Sequence, residues 1–464
     1  MRKLIAFLLL IIIFAKFSTK FIYADNSNIF GLHLTQTSDI HSAAPLINSS
    51  GGDWGWTTIV IRLDQLNHQT WQEFFDNCRK YHLIPLIRLS TIMDNGSWKK
   101  PEISDIDNLA NFLNSLNWPS TPQYVVLFNE INHATEWGGQ IDIKNFTDIS
   151  IYTAKKFKSL NSNFYILSSP LDLAAANNKS ETKSAADTYR EIFFYKPEYF
   201  DLIDGLASHS YPNHGYIGTP NDTGQHSIRG YQWELNFLKS LGINKTYPVF
   251  ITETGWPHRE GEQKNNHYYT TKIAAKFLTY AINIWSTDSR IKAITPFIYN
   301  YPHDPFDHFS WLDGAEKLYP DYQQIIDFPK QKNTPTQITD YTVINNRLPF
   351  LILTDTDYTG QITLKNTGQS IWGETVFCLS PQSTPNVILE AICTNNTYIT
   401  PGHTETFNYK IRINNSPDYK DKTYISWENL NVFEITPVDG SGTIYHPKIN
   451  LKEKITQFFQ RLFI

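Results

Sequence analysis

Cysteine is scarce, with three in 464 residues, too few for a disulfide-stapled scaffold. Charge is also sparse and nearly balanced. Charged residues make up 18% of the chain, and 40 basic against 45 acidic side chains leave a formal charge of −5. That balance excludes the basic surface a nucleic-acid binder needs. No apolar run reaches the ~20 residues of a membrane span. At 41% hydrophobic residues the chain also lies outside the disordered class. The position after the first strand reads Gly31-Leu32-His33-Leu34-Thr35-Gln36, with none of the Gly-rich phosphate turn of a dinucleotide fold. A Walker loop, a nucleophile elbow and a Cys/His zinc set are likewise missing, so no cofactor and no metal is expected. Aromatics, by contrast, are plentiful: 14% of residues, including 12 Trp and 26 Tyr. Flat rings suit sugar faces as well as buried packing.

Arg2 and Lys3 precede an apolar stretch from Leu4 to Ala15, and a small residue, Ala24, follows a polar segment. This pattern predicts an export signal over residues 1–24, cleaved after Ala24; the rival is an uncleaved anchor. Both put the folded part outside the cytoplasm, secreted or tethered to a membrane. There Cys378 and Cys393 can pair within one small domain, while Cys78 reads as a buried free thiol in a helix. At the other end, Leu451, Ile455, Phe458, Phe459 and Leu462 form one face of a helix over 450–464. Such a face either docks on the protein body or lies on a membrane or cell surface.

Between residues 27 and 330 one unit recurs: a short β-branched run, a polar loop, an amphipathic helix. Strands are predicted at Ile29–Leu34, Thr57–Arg62, Leu83–Leu89, Tyr124–Phe128, Phe164–Ser168, Leu202–Ala207, Pro248–Thr252 and Ile291–Ile298. Eight near-continuous apolar strands alternating with helices predict an α/β fold with a parallel sheet, closed as a (β/α)₈ barrel of about 300 residues. The Pro-bounded polar segment 331–337 reads as a linker. From 338 to 449, short alternating runs such as Gly360–Lys365, Thr404–Ile413 and Val432–Pro437 predict an antiparallel β-sandwich.

Two predicted strands end in a carboxylate: Tyr124-Val125-Val126-Leu127-Phe128-Asn129-Glu130 and Pro248-Val249-Phe250-Ile251-Thr252-Glu253-Thr254-Gly255-Trp256-Pro257. A charge at the tip of a buried strand is costly without partners, and in this barrel strand tips line the active-site face. Glu130 follows the fourth strand and Glu253 the seventh, so the two face each other across the mouth. Two carboxyls about 5–5.5 Å apart are what a retaining glycosidase requires. An Asn-Glu pair alone carries no information, since about one is expected by chance in a chain this long. The right strands in the right order carry more.

With these motifs the region from about 29 to 327 resembles the clan A glycoside hydrolases. Ser208-His209-Ser210-Tyr211-Pro212 matches the clan's His-x-Tyr after strand six, and Arg62 stands at the end of strand two, where many members keep an arginine. Thr252 to Pro257 is similar to the nucleophile segment of plant-type β-1,3-glucanases. That family reads Asn-x-Tyr-Pro where His209 stands here, so the resemblance stops at the clan. It implies Glu130 as acid/base and Glu253 as nucleophile, with Asn129 on the sugar 2-hydroxyl. It also implies that Tyr211 donates to Glu253, with His209 nearby and Arg62 beneath. Chemistry asks the same of the pair: the nucleophile needs donors to stay anionic, and the acid needs a raised pKa.

Other features are weaker. Trp54, Trp56, Trp137, Trp256 and Trp311 fall in or beside mouth loops, where they either stack on sugars or pack; Trp256, next to Glu253, is the strongest candidate for stacking. Arg88, at the end of strand three, either touches substrate or pins a carboxylate. His303, Asp304, Asp307 and His308 match no metal-ligand spacing. The Leu364–Trp372 and Pro401–Thr404 segments resemble Ig-like four-tryptophan modules, of whose tryptophans only Trp372 and Trp427 are evident. The expectation is an exported retaining β-glycosidase that cuts a β-linked, glucan-like polysaccharide internally. A silent glycan-binding protein and a transglycosylase are the alternatives.

Overall fold

A computed structural model of the chain describes residues 27–394, 397–415, 423–427, 430–438 and 442–449. The predicted export segment and the C-terminal amphipathic helix lie outside the described residues. The chain forms two compact units, one comprising the residues up to Leu116 together with Pro122–Pro335, the other Asn117–Thr121 with the chain from Thr336 onward.

The first unit carries eight parallel strands: β1 Gly31–His33, β2 Gly55–Arg62, β3 Leu83–Ser90, β4 Gln123–Val126, β5 Phe164–Leu167, β6 Leu206–His209, β7 Val249–Glu253 and β8 Ile291–Ile294. Strands β1 to β5 pair in chain order, as do β6 to β8. Parallel bridges Leu167↔Gly205 and Phe30↔Ile294 join the two arcs, so the sheet closes on itself as the sequence predicts.

Closure brings backbones close together. A Cβ on Gly31 would lie 2.3 Å from the Trp56 carbonyl oxygen, so only glycine lets β1 approach β2 here. Inside, Trp56, Tyr124 and Phe250 meet edge-on or tilted with ring centroids 5.2 to 5.7 Å apart. Together with Leu86, Val126, Leu167, Ala207 and Ala293 they form one buried cluster. The barrel is thus filled, and any site must sit at its mouth.

Helices cover the outside: α1 Ile40–Ile47, α2 His68–Lys80, α3 Ile103–Ser115, α4 Ile143–Leu160, α5 Ala185–Tyr195, α6 Gly230–Ser240 and α7 Thr271–Trp285. Side chains of Asn67, Asp142, Ser184 and Thr270 cap four of them by accepting from backbone N–H groups. α1 was not foreseen. It is eight residues long and contains Pro45, yet Ile40, Ala43, Ala44 and Ile47 bury one face while Pro45 points outward. Strand six begins later than expected, because Leu202 ends a short helix, Glu198–Leu202. His209 is consequently the last residue of β6, on a fixed element instead of a loop.

In the second unit, Tyr341–Arg347, Asp357–Asn366, Thr404–Ile413 and Val387–Leu389 form one four-stranded antiparallel sheet. Ile352–Leu353, Ile444–Ile449, Leu430–Pro437 and Thr423–Trp427 form another. Both contribute to one core that contains Ile362, Trp372, Tyr409, Ile425, Trp427 and Ile435. A two-stranded ladder places Cys378 opposite Cys393, and these two are disulfide-bonded, while Cys78 is a buried free thiol.

Candidate active site

The mouth of the barrel collects the ends of five strands. His33 ends β1, Arg88 lies near the end of β3, His209 ends β6 and Glu253 ends β7. Asn129 and Glu130 lie just past β4, where the chain bends. Phe128 adopts a left-handed φ of 60°, a conformation that costs of order 1–3 kcal/mol for a non-glycine residue. Its ring holds the bend in place: it is buried edge-on against Trp137 at 5.0 Å and Phe146 at 6.4 Å.

Glu253 is 8% exposed and surrounded by donors. Arg88 Nη1 donates to its Oε1 in a charge-assisted bond. Tyr211 donates to Oε2 at 3.2 Å, His209 Nδ1 is 3.7 Å from Oε2, and His33 Nε2 is 3.7 Å from Oε1. Burial alone would raise this carboxyl; His209 and Arg88 outweigh it and hold Glu253 well below the usual carboxylate range. Glu253 is therefore an anion at any pH near neutral.

Glu130 is more open, and its Oε1 accepts from His209 Nδ1 at 2.8 Å. His209 thus bridges the two acids. Its legs of 2.8 and 3.7 Å, laid end to end, put Glu130 Oε1 and Glu253 Oε2 at most about 6.5 Å apart. Burial opposes a charge on His209, but Glu253 and Glu130 reverse this and raise its pKa. Burial pushes the His33 ring down to about 3, so it is a neutral neighbour of Glu253 Oε1.

The cluster contains Glu130, Glu253, Asn129, His209, Tyr211 and Arg88. Of Arg88's two alternatives, the geometry gives the carboxylate-pinning one, and the same Nη1 also donates to Asn129 Oδ1 at 2.7 Å. Two expected residues are engaged elsewhere. Arg62, expected beneath Glu253, forks onto Asp64 with bonds of 3.0 and 2.6 Å and lies over the Trp98 ring. As the last residue of its strand it turns outward, and Arg88 supplies the positive charge instead. Trp256, expected to stack on substrate, is 2% exposed; its N–H donates to the Gly218 carbonyl and its ring packs edge-on against Phe277. Trp54, Trp56, Trp137 and Trp311 are likewise buried. Among the rings left partly open on mouth loops are Trp98, Tyr216 and Phe306. His303 pairs with Glu262 at 2.6 Å, and His308 Nδ1 meets the His258 carbonyl.

Two residues of the cluster were not foreseen. His33 could have been found from its position, since it closes the first strand on the functional face. Glu136 lies six positions after Glu130, half-buried, and burial, with the charge on Glu130 adding to it, raises its carboxyl to about 7. Nothing in the local sequence sets it apart from a surface acid.

No protein-family model and no curated protein matches the chain. Among solved structures it is similar to a family 39 glycoside hydrolase from the gut symbiont Bacteroides cellulosilyticus, at 14% identity over 84% of this chain and 82% of that one, with a TM-score of 0.43. A glucosidase from Croceicoccus marinus matches at 8% identity over 84% of this chain and 96% of that one, with a TM-score of 0.46. A GH128 subgroup II endo-β-1,3-glucanase from Sorangium cellulosum matches at 12% identity over 65% and 99%, with a TM-score of 0.43. Likeness this distant leaves the chemistry to be read from the side chains at the barrel mouth.

Proposed function

We propose that the chain is an exported retaining β-glycosidase that hydrolyses a β-linked polysaccharide, glucan-like and cut internally. The supporting observation is the asymmetry of its acid pair: Glu253 is buried and held anionic by Arg88, His209 and Tyr211, while Glu130 stands across the mouth within one sugar ring's reach. In the first step a Glu253 oxygen bonds to the anomeric carbon. The bond to the leaving oxygen breaks, its electron pair stays on that oxygen, and Glu130 delivers the proton. In the second step water attacks the anomeric carbon, Glu130 takes its proton, and Glu253 leaves as carboxylate. No metal or cofactor enters either step.

Partly open rings on three mouth loops, Trp98, Tyr216 and Phe306, favour an extended chain over a single sugar. The second unit is assigned no catalytic step; its two sheets around a tryptophan-centred core suit an Ig-like accessory module. The test is a panel of β-linked polysaccharides assayed for new reducing ends, followed by trapping with a 2-fluoroglycoside. Turnover, covalent label on Glu253, and loss of both in Glu253→Gln are expected. Binding of the glycan without turnover or label would instead identify a silent glycan-binding protein.

A further inference from the structure

Glu234 is a fully buried acid that the two steps above leave without a task. It stands on α6, and its carboxyl collects donors from two other elements. Tyr189 of α5 donates to Oε1 at 2.6 Å, and Ser208 of β6 donates to Oε2. From Ser208 the bonds continue along the chain. Its Oγ lies 2.9 Å from that of Ser210, which accepts from the Tyr231 backbone N–H at 3.0 Å. Ser208 has one hydrogen, already given to Glu234, so Ser210 is the donor of the serine pair. One line of bonds therefore leaves the first turn of α6, passes through both serines, and returns to the same helix at Glu234. The Ser210 carbonyl meanwhile accepts from Thr254 Oγ1, just past β7, at 2.7 Å.

His209 sits between these two serines and faces the other way. Alternation along a strand sends Ser208 and Ser210 to the helices and His209 to the mouth. A register shift beside it pairs His209 with Glu253 where an even ladder would pair it with Thr252. The ring has one hydrogen bond, from Nδ1 to Glu130 at 2.8 Å, and its buried Nε2 has no partner. Its own bonds therefore do not fix its place. The backbone that carries it does.

We infer that Glu234 is a positioning residue: through Ser208 and Ser210 it clamps the tip of β6 to the helical layer and so holds His209 within reach of Glu130 and Glu253 at once. Its catalytic consequence rests on the glycosidase reading. Slack of an ångström at this tip would open the 2.8 Å bond to Glu130 and draw the ring away from Glu253 Oε2, now at 3.7 Å. Tyr211, which donates to Glu253 at 3.2 Å, follows two positions later on the same segment and would move with it. A displacement of this size costs up to about a hundredfold in rate.

The test uses the full chain with ¹⁵N-labelled histidine and the variants Ser208→Ala, Glu234→Leu and Tyr189→Phe. The Nδ1 proton that His209 donates to Glu130 should give a downfield signal, identified by its loss in His209→Asn. That signal should shift or broaden in Ser208→Ala and Glu234→Leu and stay in place in Tyr189→Phe, which takes a bond from Glu234 but none from β6. On an activated aryl β-glycoside, Ser208→Ala and Glu234→Leu should each lose about tenfold in kcat, with KM little changed. The double variant should lose no more than the worse single one, because both cut the same line of bonds. Tyr189→Phe should lower the melting transition and keep its kcat. Ser208→Ala removes one oxygen only, and it decides the matter should Glu234→Leu fail to fold. An unmoved His209 signal in Ser208→Ala, or an equal loss of kcat in Tyr189→Phe, overturns the positioning role. Absence of turnover by the unaltered protein overturns the glycosidase reading instead, and the His209 signal still decides whether the clamp holds the ring.

Discussion

Arg88 near the end of β3 donates to the carboxylate of Glu253 at the end of β7, 165 positions farther along the chain. Both side chains are nearly buried, so neither charge has enough water to be stable alone. Removing the cation should act on the anion twice. Arg88→Met takes the permanent cation from a buried carboxylate that keeps Tyr211 and His209 beside it, which costs up to about 3–5 kcal/mol of stability. It also removes one of the groups that depress Glu253. A nucleophile must be ionised, so the acid limb of kcat/KM follows its pKa. That limb should lie below the usual carboxylate range in the unaltered protein and move to higher pH in Arg88→Met. An unchanged limb, in a variant that still folds, would detach Arg88 from the chemistry.

Glu130 has a separable role. Only a poor leaving group needs its proton, whereas every substrate needs its help to activate water in the second step. Glu130→Ala should therefore accumulate glycosyl-enzyme on a substrate with an activated leaving group, seen as a burst followed by slow turnover. Azide, a nucleophile that needs no general base, should restore turnover and give a glycosyl azide of retained configuration. An azide product of inverted configuration would show that no covalent intermediate forms.

How much of this was legible beforehand follows from what each residue depends on. The strands are local: apolar runs with helices between them, and their order alone places Glu130 and Glu253 on facing sides of one mouth. Tyr211 on Glu253 was implied by the clan resemblance, and the hydrogen bond is there. Orientation, however, is a contest among neighbours. Arg62 and Arg88 are both arginines near the ends of adjacent strands, and pairing in the sequence cannot tell them apart. Asp64 claims the first, two residues away, and leaves Glu253 to the second. Trp256 adjoins the nucleophile in sequence, but the turn at Gly255, with φ of 139°, sends its ring into the packing against Phe277. Glu130 and Asn129 are turned into the mouth by the left-handed bend at Phe128, and a strained bend leaves no mark in composition.

Behind the site, Glu234 on α6 is fully buried, with Tyr189 donating to it at 2.6 Å and Ser208 to its other oxygen. Burial raises its carboxyl from 4.5 to about 7 against those two bonds. An acid with a raised folded-state pKa holds its proton where the unfolded chain has lost it. Its stabilising contribution is complete below about pH 4.5 and is lost as pH rises to about 7. The change amounts to about 3 kcal/mol. Glu234→Gln keeps an amide of the same shape but cannot titrate. Denaturant unfolding should show stability falling between those two pH values in the unaltered protein and falling less in the variant. Part of the slope should survive, because Glu136 titrates in the same sense. Parallel curves for the two proteins would mean that Glu234 ionises in the folded barrel at no cost.

The last expectation concerns the second unit, whose Cys378–Cys393 bond closes a loop of 15 positions across a two-stranded ladder. Cross-linking a loop of this size removes unfolded-chain entropy worth about 3 kcal/mol. The ladder has only two residue pairs, too few to align Phe377 and Ile392 with the tryptophan core on its own. The double substitution Cys378→Ser, Cys393→Ser should lower the melting transition of this unit by an amount matching that loss. It should leave the barrel's transition and its turnover where they were, because the barrel's core and acid pair lie wholly in the other compact unit. Calorimetry of the full chain separates the two transitions. A shift of the barrel's transition instead would show that the two units melt as one.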